Sequence, residues 1–151
     1  MKDLGLHRFE QRRTTILAIL DHVGYVELVD SGRGGRGRRL RFETRAPGPL
    51  PRAEASFIYA EWYQRVARGW RLSRYQYDYL DRRHGGRLGY HWHSIARRNP
   101  IYHAHCEHDR RTPPVAHYRS YEIDLLEAHE EFAKLYAADA AIDCGELRPL
   151  I

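Results

Sequence analysis

Lysine is nearly missing from this chain: of 25 basic residues only Lys2 and Lys134 are lysine, and the rest are arginine. No apolar stretch approaches the roughly 20 residues that a membrane-crossing helix needs, and no signal-like apolar run lies near the N-terminus. Cysteine is scarce. Cys106 and Cys144 stand in dissimilar contexts without C-x-x-C spacing, which predicts free thiols in a soluble, cytoplasmic protein that does not engage a membrane. The glycine-rich segment 31–37 lacks the lysine and hydroxyl residue of a P-loop, so a nucleotide-triphosphate cradle of that type is excluded. No internal repeat is evident.

What is present fits one domain over residues 1–151, long enough for a hydrophobic core. Twenty-five basic against 20 acidic residues leave a net charge of +5. Arginine pairs bidentately with phosphate and stacks on bases, so the balance points to a polyanionic partner such as RNA. A GC-rich genome produces the same arginine bias.

Taken in order, Phe9 to Val23 reads as a helix, because Phe9, Ile16, Leu20 and Val23 share a face. Gly24 ends it. The period then becomes two from Tyr25 to Val29 and again through Leu40, Phe42 and Thr44, which makes a hairpin. Its Gly/Arg loop carries Arg33 and Arg36, with Arg38 and Arg39 just beyond. Such a loop can close on phosphates, or it can be a mobile hairpin tip. After the breaker segment 46–51, strands are expected over 56–64 and 71–81. In the second, Tyr75, Tyr77 and Tyr79 alternate. Tyr75 and Tyr77 can stack on RNA bases, although a half-buried sheet uses tyrosine in the same way. Strands over 87–94 and 101–107 follow. Ser120 is the expected N-cap of a closing helix over 121–138, with Leu125, Ala128, Phe132 and Leu135 as its apolar stripe. The sum is an α+β fold: an antiparallel sheet of about five or six strands, flanked by an N-terminal and a C-terminal helix.

The stretch from Gly89 to His108 concentrates the chemistry. Five of the ten histidines fall within it: His91, His93, His103, His105 and His108. Residues i and i+2 of a strand point to one face, so two paired strands can bring four imidazoles onto one patch. On that arrangement Tyr90 and Trp92 face the core, and Cys106 points away from the imidazoles. An isolated histidine is usually a surface or core residue. Two H-x-H pairs joined by a short link are a stronger signal.

The strand Tyr-Gln-Tyr-Asp-Tyr-Leu-Asp containing Tyr75 and Tyr77, then Tyr-His-Trp-His with His91 and Trp92, then His103-Ala-His105 and a closing helix, resemble the TumE family of prokaryotic toxins. The likeness spans roughly residues 24–138. Of the family's Asp-Asn-x-Pro-His segment, this chain keeps only Asn99-Pro100. The resemblance implies a toxin acting on RNA, held in check by a partner antitoxin.

Residue chemistry leads to RNA cleavage independently. Without a metal, the reaction needs a base for the 2′-hydroxyl, an acid for the leaving oxygen and a cation for the phosphorane charge. His93 and His105 are the candidate acid/base pair, His91 and His103 the alternatives, and Arg97 or Arg98 the phosphate partner. In a competing reading His91, His93, His103, His105 and His108 hold a divalent transition metal, as in a cupin. The glutamate that a cupin places after His-Trp-His is absent from residues 95–99. A third reading is a non-catalytic module that binds nucleic acid or a protein partner. The spacing of the imidazoles separates the two enzymes: metal–ligand reach favours a metal, and a gap the size of a phosphate favours acid/base work.

Overall fold

The structure is a computed structural model. It describes the backbone at residues 3–4, 6–20, 26–30, 33–34, 37–44, 54–67, 69–93, 100–108, 117–145 and 147–148, and side chains from residue 11 onward except in 26–44. The elements in chain order are β1 (Asp3–Leu4), α1 (Leu6–Leu20), β2 (Val26–Asp30), β3 (Arg33–Gly34), β4 (Gly37–Thr44), β5 (Ala55–Val66) and β6 (Gly69–Asp81). Then come β7 (Gly86–His93), β8 (Ile101–Glu107), β9 (His117–Arg119) and α2 (Leu125–Ala138). This is the expected α+β architecture, an antiparallel sheet with one helix from each end of the chain. Its main path runs β2-β4-β5-β6-β7-β8-β9, with the two-residue strands β1 and β3 added beside β6 and β4.

Alternation along the long strands gives the sheet two unlike faces. On one, Phe57, Tyr59, Tyr75, Tyr77, Tyr79, Leu88, Tyr90 and Trp92 are buried with Ile16 and Leu20 of α1 and Leu125, Ala128 and Phe132 of α2. Phe132 stacks on both Tyr79 and Tyr90 at 5.9 Å between centroids, contacts worth roughly 0.5–1.5 kcal/mol each beyond the burial. Tyr75 and Tyr77 stack on one another at 4.6 Å and are 3% and 1% exposed. Their rings belong to the core, so the RNA-stacking role considered for them is corrected to the structural one.

A polar knot ties α1 to this face. Glu61 is buried, and it accepts hydrogen bonds from Arg12 Nη2 at 2.6 Å, from Arg12 Nε at 3.2 Å and from the Tyr77 hydroxyl at 2.9 Å. The Tyr63 hydroxyl donates to it as well. The buried oxygens of Glu61 are thus hydrogen-bonded, as buried polar groups must be. Breaking such a pair costs about 3–5 kcal/mol.

Three local expectations shift. α1 begins at Leu6 and runs to Leu20, while residues 21–25 lie outside the described ones. The closing helix starts at Leu125 and not at Tyr121, because Asp124 is the N-cap: it accepts from the Glu127 backbone, and Glu127 reaches back to the Asp124 N–H. That capping box leaves 120–124 extended. Within it, Ile123 plugs into the core and donates its N–H to the Tyr75 hydroxyl at 3.2 Å. Finally, Cys106 and Cys144 form a disulfide, with Cα atoms 5.8 Å apart. The expected free thiols are overturned. Cys106 does point to the core face, as its alternation with His105 requires. The tail returns to meet it there, with Ile142 and Cys144 both buried.

Candidate metal centre

β7 and β8 pair over their whole lengths, with His91 opposite His103, Gly89 opposite His105 and His93 opposite Ile101. The sheet face away from the helices therefore collects the imidazoles, and one ring nitrogen from each of His91, His93, His103 and His105 lies within 4.8 Å of the others. Nitrogens bonded to one tetrahedral zinc stand about 3.4 Å apart, so the rings would have to draw together to close on an ion. The cluster is not on an open surface. His91, His103 and His105 are 3%, 0% and 9% exposed, and only His93 is half-buried.

The hydrogen bonds around these rings decide which nitrogens face inward. His91 Nε2 lies 2.8 Å from Asp78 Oδ1. A carboxylate only accepts, so Nε2 carries the proton and Nδ1 keeps its lone pair. His103 Nδ1 lies 3.1 Å from the Ile101 carbonyl, which fixes the opposite tautomer and leaves the Nε2 lone pair. Those two left-over nitrogens, and both nitrogens of His105, are buried without a hydrogen-bond partner among the described residues. Buried polar atoms of native proteins are nearly always satisfied. On each of the three rings one nitrogen keeps a lone pair that wants an electron-pair acceptor, the other nitrogen of neutral His105 carrying its proton, and histidine ligands of metals are characteristically oriented by a carboxylate or a carbonyl on the other nitrogen.

Asp78 reaches His91 because Gly89 has no side chain: a Cβ at Gly89 would overlap Asp78 Oδ1 and stand 2.9 Å from His91 Nε2. Arg87 holds the same carboxylate oxygen from the other side, through Nη2 at 3.2 Å and Nε at 3.3 Å. Burial pushes the Asp78 carboxyl up. The hydrogen bond from His91, with the charge and hydrogen bond of Arg87, outweighs that and holds it below its ordinary value. Gly89→Ala is expected to break the Asp78–His91 bond and weaken metal affinity ten- to hundredfold, the usual effect of losing a ligand's orienting partner. Competition with a chromogenic chelator measures it, and an unchanged affinity would show that Asp78 is not needed.

Desolvation, and then the neighbouring imidazoles, push His103 down to about 4 and His105 down to about 3, with only the Ile101 carbonyl opposing at His103. Both rings stay neutral at neutral pH, as metal ligands must be. Unfolded, they titrate near 6.5. The unfolded chain therefore binds more protons between that pH and the folded values, so the metal-free fold is stable above this window and loses stability as pH falls through it. Urea midpoints in chelator at neutral pH and at about pH 5 should show the loss. Equal midpoints would mean that the rings are solvated.

The other expected site residues divide. His108 is exposed at the end of β8 and stands outside the four-histidine group. Arg97, Arg98 and Arg36 lie outside the described residues. Arg33 falls in β3, and Arg38 and Arg39 fall in β4, where they are the register partners of Tyr63 and Trp62. Sequence reading missed His117, which β9 places opposite His105 with rings 4.5 Å apart and 5.4 Å from His103. Its signal was the His117-x-Arg119 alternation. Asp78 was also legible in principle, as the charged residue on the off-beat of the tyrosine strand. Comparison with family models, with curated proteins and with solved structures finds no match for this chain.

Proposed function

We propose that this protein is a divalent-transition-metal enzyme that cleaves RNA, with His91, His93, His103 and His105 as the ligand set. The observation that carries the metal is the convergence of four imidazoles, three of which, His91, His103 and His105, keep buried nitrogens with no hydrogen-bond partner among the described residues. An all-imidazole set suits zinc, copper, iron or nickel. A metal held there supplies Lewis-acid activation of water or of a phosphoryl oxygen. The chain's own residues do the rest. Asp78 and the Ile101 carbonyl fix the ring tautomers, Arg87 holds Asp78, and half-buried His117 stands beside the set as a proton carrier.

RNA as the target rests on the arginine-rich composition and on the resemblance to TumE-family toxins, which adds a protein antitoxin as partner. The metal-independent scheme, with His93 and His105 as base and acid, is the second reading. The depressed basicity of His105 weighs against it, since an acid near neutrality must hold its proton there. A non-catalytic binding module leaves the buried lone pairs unexplained. Among the described residues no helix is long and apolar enough to cross a membrane. The disulfide favours an oxidising compartment over the cytoplasm expected from the sequence.

The test is elemental analysis of the purified protein together with cleavage of a labelled single-stranded RNA. Stoichiometric metal, loss of cleavage in chelator and its rescue by zinc, manganese or iron are expected. Cleavage that persists in excess chelator, with a bell-shaped pH profile near neutrality, would move the assignment to the acid/base pair.

A further inference from the structure

The sheet face that carries the imidazoles does not end at them. Across β6 and β5 it continues into a cleft of about 320 Å³, lined among others by Ala60, Trp62, Gln76, Asp78 and Arg87. The cleft and the metal centre are contiguous by register: Gln76 is the cross-strand partner of His91, and Asp78, which lines the cleft, is the hydrogen-bond partner of His91. Whatever occupies the cleft therefore lies next to the ligand set, on the same surface.

Three chemistries converge around this cleft. Trp62 offers an indole, and Arg74 already lies over its ring at 4.3 Å. Gln76 is half-buried and lines the cleft. Arg87 brings positive charge to the wall, part of it committed to Asp78. On the far side β4 sets Arg39 and Arg41 at the register positions opposite Trp62 and Ala60. An aromatic surface for a flat ring, an amide that can donate and accept at one edge, and the Arg87 guanidinium in the wall are groups that recognise a base and its phosphate. A simple anion site needs no indole, and a wholly apolar ligand would leave Gln76, Asp78 and Arg87 of the lining unanswered.

We propose that the Trp62–Gln76–Arg87 cleft binds one nucleotide of a single-stranded nucleic acid, the base against Trp62 and Gln76 and the adjoining phosphodiester directed toward the histidines. This rests on the metal-enzyme reading for its role as a substrate site, though binding itself does not require the metal. It gives the enzyme a place to hold a base beside the scissile bond, and so a source of positional selectivity that the ligand set alone lacks.

The experiment titrates the isotope-labelled full chain with AMP, with its 2′-deoxy counterpart and with inorganic phosphate. It follows the Trp62 indole N–H and the Gln76 amide signals, each identified by its loss in Trp62→Leu and Gln76→Leu, and metal content is measured on the same samples. AMP is expected to shift both signals saturably while inorganic phosphate moves neither. Trp62→Leu should weaken AMP binding on the order of tenfold, the scale of one lost base stack, with an unchanged circular-dichroism spectrum. Equal binding of the deoxynucleotide supports the cleft as a base site indifferent to the sugar, and weaker binding supports it with a preference for RNA. AMP that shifts neither signal, or shifts only those of the histidine strands, overturns the proposal. Metal content decides separately whether the ligand set stands.

Discussion

His105→Ala is expected to abolish binding of the proposed metal. The ring lies between His91, with centroids 4.3 Å apart, and His117 at 4.5 Å, and neither of its buried nitrogens has a hydrogen-bond partner among the described residues. Its removal should cost at least a hundredfold in affinity, more than the ten- to hundredfold expected for a residue that only orients a ligand. Asp78→Asn should fall in that lesser range, and His108→Ala, exposed and outside the set, should change nothing. Elemental analysis of the four proteins, with cleavage rates measured alongside, gives the order. Because His105 is buried, a thermal melt must accompany each variant. If His105→Ala kept full metal and full stability while losing cleavage, the ring would be a reacting group and not a ligand.

Opening the Cys106–Cys144 bridge should produce a large loss of stability. The bridge closes a 38-residue separation, and the chain-entropy estimate for a loop of that length is about 4 kcal/mol. Reduction also frees a tail whose Ile142 and Cys144 are buried against the sheet. Urea midpoints of the wild type with and without reductant, and of Cys144→Ser, should agree on a fall of that order, with Cys144→Ser insensitive to reductant. Identical midpoints in all samples would mean that the tail docks without the bond.

The order of elements and the two faces of the sheet were legible because alternation is local. Tyr75, Tyr77 and Tyr79 announced the core face, Pro100 marked where β8 begins, and the two H-x-H pairs announced the imidazole face. The true helix start was written too, in the Asp124-x-x-Glu127 box, but Ser120 offered a nearer cap. What decides between them is the burial of Ile123, a tertiary fact. The disulfide was not legible, since a 38-residue separation carries no local mark. Nor was the Asp78–His91 bond, which depends on a register that puts Gly89 beside Asp78. The positions of the clustered histidines could be read from the pattern, but the atoms that orient their rings include one from across the strands, Asp78.

The strands that carry the imidazoles also carry the core, residue for residue in alternation. If β8 slipped by one position against β7, Ala104 and Cys106 would stand where His103 and His105 belong, and all the pairings would turn over at once. There is no half-assembled version of this site. An ion that binds only the native register stabilises that register by mass action, so during folding the metal would act as a proofreader of strand pairing, rewarding the one alignment in which all four rings arrive on the same side.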